Sequence, residues 1–234
     1  MKLRVGTSGF SYKEWKGPFY PEDLPDALML RHYAERLQAV EINNTFYRMP
    51  RSDVMRRWAE EVPDDFVFVI KASQRITHKA RLKEVDEALG YLWGAVTKLE
   101  AHLGPLLFQL PPWFKKDAER LRTFLASLPD GCRAAMEFRH ASWNDEEVLE
   151  ILRAGGAAMC VADKEGDEDP PLPVTADWGY LRLRREGYGP DELRAWAERV
   201  RGQPWEEAFV FFKHEDAGAG PRLALEFAQL FASG

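Results

Sequence analysis

Short apolar runs in this sequence repeatedly end in groups that move protons or hold charge. Glu41 and Asn43 close one run, Lys71 and Ser73 another, and Gln109 a third. Glu137, Arg139 and His140 close the next, followed by Asp163 and Lys164, while Arg182 and Arg184 lie on a later run. Thr7, Ser8 and Gly9 follow the first run, and Lys213, His214 and Asp216 the last. Residues two apart on a strand share a face. Glu41 with Asn43, Lys71 with Ser73, Glu137 with Arg139 and Arg182 with Arg184 are therefore read as facing pairs. Unpaired charge is costly to bury, so these groups are expected to meet in a ring around a pocket.

Glu41, Glu137 and Asp163 supply carboxylates for general acid–base work, with Lys71 and His140 completing the expected catalytic set. A carboxylate beside an arginine stays ionised and serves better as base than as acid. A desolvated Lys71 or Lys213 is also a candidate Schiff-base amine. Thr7, Asn43, His78, Gln109, Arg139, Trp143, Arg182 and Lys213 are the expected substrate contacts. Lys71, Arg139, Arg182 and Lys213 would hold an anion. Together they suit a small phosphorylated or carboxylated substrate and a hydrolase, lyase or isomerase step. The competing structural reading is an ion-pair network that closes the top of the fold.

Two other chemistries use the same residues. Glu41, Glu137, Asp163 and one of His78, His140 or His214 form a mixed donor set for a divalent metal ion, as in a phosphoesterase-like hydrolase. Lys71, Arg75, Lys79 and Arg81, with aromatic neighbours, form a candidate surface for nucleic acid. The net charge of −6 weighs against that partner. Aromatic residues crowd the same segments, among them Phe10, Tyr12, Trp15, Phe19, Tyr20, Phe46, Tyr47, Trp113, Phe114, Trp143, Trp178 and Tyr188. They are expected either to pack as a lid or to stack on a sugar or base.

The elements that must position these groups alternate regularly. Strands are expected at 3–7, 39–43, 66–72, 106–110, 133–138, 157–162, 180–184 and 208–212. Helices are expected at 27–38, after Ser52 as cap, at about 84–103, around 121–128, after Asn144 with Glu147 as a capping box, from Pro190 to Gly202, and around 223–230. Gly104-Pro105 and Pro111-Pro112 are read as bounding the fourth strand. Gly6 to Gly9 is read as a tight turn. The Pro- and Asp-rich stretch 164–178 stands where a sixth helix is due. Eight strands and seven helices over 234 residues fit an α/β fold, a single (β/α)8 barrel domain. Chemistry in such barrels sits at the C-terminal ends of the strands.

Composition agrees, with 45% hydrophobic and 30% charged residues, the mix of an ordinary globular chain. No run is long and apolar enough for a membrane helix, and the first residues carry no signal-peptide core. A cytoplasmic location is expected, with Cys132 and Cys160 reduced.

Several blocks then carry a resemblance. They are Gly6-Thr7-Ser8-Gly9-Phe10-Ser11-Tyr12, Phe19-Tyr20-Pro21, Val40 to Tyr47, Lys71-Ala72 with Thr77-His78, Gly104 to Pro112, Glu137 to Trp143, Thr175-Ala176-Asp177 and Tyr180 to Leu183. In this order the chain resembles the YecE-like family, the domain of unknown function 72. The resemblance implies a TIM-type barrel and brings no assigned activity or catalytic residue.

Overall fold

In the computed structural model, residues 1–164, 169–185, 187–213 and 218–232 are described. Eight strands form a closed, wholly parallel barrel in chain order. They are β1 (Lys2–Ser8), β2 (Ala39–Ile42), β3 (Val67–Lys71), β4 (Leu103–Gln109), β5 (Ala134–Glu137), β6 (Ala158–Asp163), β7 (Trp178–Leu183) and β8 (Glu207–Phe212). β8 pairs back onto β1, Lys2 opposite Glu207 through Thr7 opposite Phe212. Closure leaves no edge strand to protect.

Among the described residues, seven α-helices surround the barrel. They are α1 (Met29–Ala34), α2 (Ser52–Glu60), α3 (Asp86–Val96), α4 (Ala118–Ala126), α5 (Glu146–Ala154), α6 (Pro190–Arg201) and α7 (Ala219–Ala232). Between β6 and β7 the described residues contain no helix, as the Pro- and Asp-rich composition suggests. Pro190 starts α6 and Gly202 caps it, as expected.

Several boundaries differ from the sequence reading. The first helix is one 3-10 turn, Asp26–Leu28, and a short α1. The long helix expected to Leu103 ends at Val96, and a 3-10 segment continues it, broken where Glu100 takes φ 52°. Ser52 is the first helical residue of α2 and Arg51 its N-cap. The cap of α5 is Asp145, not Asn144; its carboxylate accepts from Glu147 N at 3.0 Å. Gly104 and Pro105 lie within β4 rather than before it. There the β3–β4 register slips, and a Cβ on Gly104 would come within 2.5 Å of Val67 Cγ1. Glycine lets the two strands approach at this irregularity.

Two apolar shells hold the barrel. Outside it, strand residues such as Val40, Ile42, Phe68, Ile70 and Phe108 pack against helix residues such as Tyr33, Leu92, Phe124 and Leu152. Inside, Ala39, Val67, Val69, Leu107, Ala135, Ala158, Trp178, Tyr180, Phe209 and Phe211 form a second cluster. The N-terminal end of the interior is plugged by charge. Glu207 accepts from Arg4 Nε at 3.0 Å and from Arg133 Nη1 at 2.8 Å. Arg133 also lies over the Trp178 ring, 4.6 Å from its centroid. Trp178 thus belongs to the end opposite the expected mouth.

Candidate functional site at the C-terminal mouth of the barrel

The inner face of the strands becomes polar in its last layers. Ser8, Glu41, Glu137, Tyr180 and Arg182 meet there, all of them buried. Arg182 lies between the two carboxylates. Its Nη2 donates to Glu41 Oε1 at 2.8 Å and its Nη1 to Glu137 Oε2 at 2.6 Å. The three side chains are 2%, 0% and 1% exposed.

Each carboxylate is held further. Glu41 accepts from Ser8 Oγ at 2.7 Å, Asn43 Nδ2 at 3.0 Å and the Tyr180 hydroxyl at 2.6 Å. Glu137 accepts from Gln109 Nε2 on both oxygens, at 2.8 Å each, and from Arg139 Nε at 3.1 Å. Burial alone would raise both carboxyls. Arg182 and the hydrogen bonds from Tyr180, Ser8 and Asn43 together outweigh it at Glu41 and hold that carboxyl below its ordinary range, while Arg182, Arg139 and the Gln109 hydrogen bond bring Glu137 down to about 2. Both are therefore ionised and saturated. They form the floor of the site and are not free to exchange protons with a substrate.

Above this floor stand cations and donors. Lys71 ends β3 on the inner face, half-buried, with Nζ 4.2 Å from the Phe46 ring centroid. Among the described residues it makes no ion pair. Burial pushes its amine down, as do Arg182 and Arg139, and the two buried glutamates restore only part, leaving it at about 8. His78 packs edge-to-face with Phe46, the ring centroids 4.8 Å apart. Its Nδ1 meets Thr77 Oγ1 at 2.9 Å. Burial first, then Lys71 and Arg139, lower its proton affinity, so the imidazole is neutral at pH 7. Arg184, two residues beyond Arg182, is lowered too, by burial and by Arg182. Its Nη1 reaches Glu137 Oε1 only at 4.0 Å. Lys71, Arg139, Arg182 and Arg184 thus share two buried carboxylates.

The loop after β3 carries His78. It forms a π-helical turn at Arg75–Lys79, and Arg81 and Leu82 then take φ of 53° and 66°. Such wide turns and left-handed residues recur at functional sites. Arg81 lies 5.9 Å from the ring centroid of Trp113, which is 59% exposed in the loop after β4. In the loop after β2, Tyr47 is 76% exposed.

The structure separates other expected members from this group. Thr7 faces outward, where its hydroxyl meets Tyr33 at 2.9 Å and Gly9 O at 2.6 Å; its neighbour Ser8 takes the inner position. Gly9 takes φ 91°, in keeping with a tight turn. Asp163 also faces outward. It accepts from Arg185 Nε at 2.9 Å and the Tyr188 hydroxyl at 2.7 Å, tying the end of β6 to the segment before α6. Cys160 takes the inner position on β6, its Sγ 4.0 Å from Glu137 Oε2. His140 caps a 3-10 turn, its Nδ1 accepting from Ser142 N at 3.1 Å. Trp143 is fully buried, stacks on Phe138 at 4.5 Å and donates to Phe114 O at 2.7 Å. It is core, not a stacking platform. Gln109 is spent on Glu137, beneath the mouth. Lys213 is exposed at the end of β8, where its backbone N–H bonds to Leu183 O. His214 lies outside the described residues.

The metal donor set expected from Glu41, Glu137, Asp163 and a histidine does not assemble. Arg182 occupies both glutamates and Asp163 points away. Among the described residues no group of three or more His, Cys, Asp or Glu is placed to hold a metal ion. No described helix is long and apolar enough to cross a membrane.

The comparisons with known proteins fit this architecture. The family described as "Protein of unknown function DUF72" matches residues 4–234. The chain belongs to that family. UPF0759 protein YecE of Escherichia coli K12 is 34% identical over 125 residues, 51% of this chain and 46% of YecE. The match thus spans about half the length of that relative. UPF0759 protein YunF of Bacillus subtilis 168 is 26% identical over 228 residues, 91% of this chain and 78% of YunF. A solved DUF72 protein from Thermotoga maritima MSB8 superposes with a TM-score of 0.87 and 30% identity, covering 99% of this chain and 100% of that one. A DUF72 protein from Enterococcus faecalis V583, 20% identical with a TM-score of 0.80, covers 98% of this chain and 95% of its own, and shares the fold.

Two members of the DUF72 site were hard to reach from sequence. Tyr180 reads as an apolar strand residue, although its spacing of two from Arg182 places both on one face. Phe46 reads as loop packing, yet it covers Lys71.

Proposed function

We propose that this DUF72 protein is an enzyme that binds a small anionic substrate, phosphorylated or carboxylated, at the C-terminal mouth of the barrel. The observation that carries the reading is Lys71. Its half-buried amine has no ion-pair partner among the described residues and feels the charges of Arg182 and Arg139. Lys71, His78 and Arg184 are all pushed toward their neutral forms by burial and by neighbouring cations. A bound anion would relieve all three at once.

In this reading Arg139 and Arg184 hold the anionic group. Lys71 acts as general base or acid near neutral pH, where an amine of about 8 supplies both forms. Neutral His78 carries the second proton. The buried Glu41–Arg182–Glu137 layer keeps these groups in place, and the cations Lys71, Arg139 and Arg184 outnumber its one net negative charge. A cytoplasmic location goes with this reading. The test is calorimetric titration with a panel of sugar phosphates and organic acids, using wild type, Lys71→Met and Arg184→Met. At least one anion is expected to bind, about tenfold more weakly to either variant. Equal binding by all three proteins would discard the assignment.

A second reading draws on the exposed rings of Tyr47 and Trp113, the latter beside Arg81. Exposed aromatic and arginine side chains suit stacking on single-stranded nucleic acid. Retention on a single-stranded DNA or RNA column, falling as salt rises, supports it. No retention at low salt dismisses it.

A further inference from the structure

We propose that Lys71 is a nucleophile toward carbonyl groups, and that the mouth takes a small anion carrying an aldehyde or ketone and holds it as an imine on Nζ. This rests on the anion-binding reading above and adds the reacting group of the substrate.

The argument begins with placement. Lys71 is the last residue of β3, on the inner face, so a closed sheet rather than a loop sets its position. The Phe46 ring covers one side of Nζ at 4.2 Å. Three other lysines have carboxylate partners. Lys16 pairs with Asp26 at 2.9 Å, Lys83 with Glu84 at 3.4 Å, and Lys116 with Asp145 at 2.9 Å and Glu147 at 3.2 Å. A carboxylate partner keeps an amine protonated and inert. Lys71 has cations as neighbours and its carboxylates lie below, already bound by Arg182. An amine desolvated beside other cations is the arrangement that activates lysine as a nucleophile.

The step balances without a co-reactant. The neutral Nζ lone pair attacks the carbonyl carbon and a C–N bond forms. The carbonyl π pair moves to oxygen, which takes up a proton, while Nζ gives one up. The hydroxyl of the resulting carbinolamine is protonated and leaves as water as the nitrogen lone pair forms C=N. The sum is one carbonyl, one amine and one solvent proton giving one protonated imine and one water. His78, packed on the same Phe46 ring, relays that proton from solvent to the hydroxyl and ends neutral as it began. Arg139 and Arg184 hold the carboxylate or phosphate of the same molecule. The protonated imine withdraws electrons from the adjacent carbon, which suits a lyase or isomerase.

The experiment is borohydride trapping on the full chain. The protein is incubated with pyruvate, dihydroxyacetone phosphate or acetone at pH 7.5, reduced with sodium borohydride and peptide-mapped by mass spectrometry. An amine at about 8 is about 24% neutral at that pH, against about 0.1% at the ordinary 10.5. Lower basicity also weakens the nucleophile, so at least tenfold labelling of Lys71 over the mean surface lysine is expected. Phosphate competes with the anionic probes, and acetone labels less than they do. Lys71→Arg, checked for folding by circular dichroism, loses the adduct. Labelling spread evenly over the lysines, or none at Lys71 with any probe, overturns the imine. If phosphate still binds by calorimetry in that case, the anion-site reading survives alone. If Lys71 is labelled equally by acetone and phosphate neither binds nor competes, the imine stands and the anion site falls.

Discussion

Replacing Arg182 with methionine removes the cation that bridges the two buried carboxylates while keeping a long apolar stem in the space. Glu137 is brought from 4.5 to about 2 in the folded protein, with Arg182 the largest stabilising cause, and a shift of that size corresponds to about 3 kcal/mol. Glu41 loses its 2.8 Å contact at the same time. Removing one partner of a buried ion pair typically costs about 3–5 kcal/mol, so Arg182→Met should lose about 3–5 kcal/mol at pH 7. The pH dependence has a definite sign. In the wild type a lowered carboxyl contributes stability present above pH 4.5 and lost as pH falls toward 2. Without Arg182, burial pushes both carboxyls above their ordinary values. The folded variant then gains protons as pH falls, and its deficit against wild type shrinks between pH 7 and pH 5. Urea unfolding of wild type, Arg182→Met and Glu41→Gln/Glu137→Gln/Arg182→Met at both pH values measures this. The triple variant, with neutral amides still facing Ser8, Tyr180 and Gln109, should recover at least half of the loss. A deficit under about 1 kcal/mol, or one equal at the two pH values and untouched by the glutamines, would refute the buried-pair argument.

Lys71→Met should stabilise the protein at pH 7. A lysine whose folded value drops from 10.5 to about 8 penalises the folded state below pH 8, a penalty relieved as pH rises from 8 to 10.5. After discounting for partial exposure the gain is about 1–2 kcal/mol, read by urea unfolding at pH 7 and vanishing by pH 10.5. Trp143→Ala should cost about 3–5 kcal/mol as a core truncation while leaving anion affinity unchanged in calorimetry. An anion affinity lost without loss of stability would return Trp143 to the site. Gly104→Ala should cost about 1–3 kcal/mol in the same unfolding assay, because its Cβ meets Val67 at 2.5 Å and the Phe68 carbonyl at 3.1 Å.

The sequence reading succeeded where the signal is local. Apolar runs and their terminators mark β1 to β8, and the spacing of two correctly pairs Glu41 with Asn43 and Glu137 with Arg139. It failed on phase. Asp163 does end β6 and Thr7 lies one residue short of the end of β1, but whether a residue points into the barrel is set by neighbouring strands. Ser8 and Glu41 sit opposite each other in the register, as do Ala162 and Arg182, which fixes Ser8 and Ala162 inside and their neighbours outside. A one-residue phase error moves a side chain to the other face. His140 and Trp143 lie beyond the strand, where alternation no longer applies, and the turn they build explains them better. The helix caps at Arg51 and Asp145 each lie one residue from Ser52 and Asn144, because adjacent polar residues compete for the same role. Nor could composition reveal that Glu41 and Glu137 are saturated, since Arg182 reaches them across 141 and 45 residues of chain.

Titration of the Lys71 amine by NMR, with selective lysine labelling and with and without inorganic phosphate, tests the electropositive mouth most directly. The expected midpoint is about 8 in the free protein, rising when phosphate binds beside Nζ. A midpoint near that of a surface lysine, unmoved by phosphate, would contradict it.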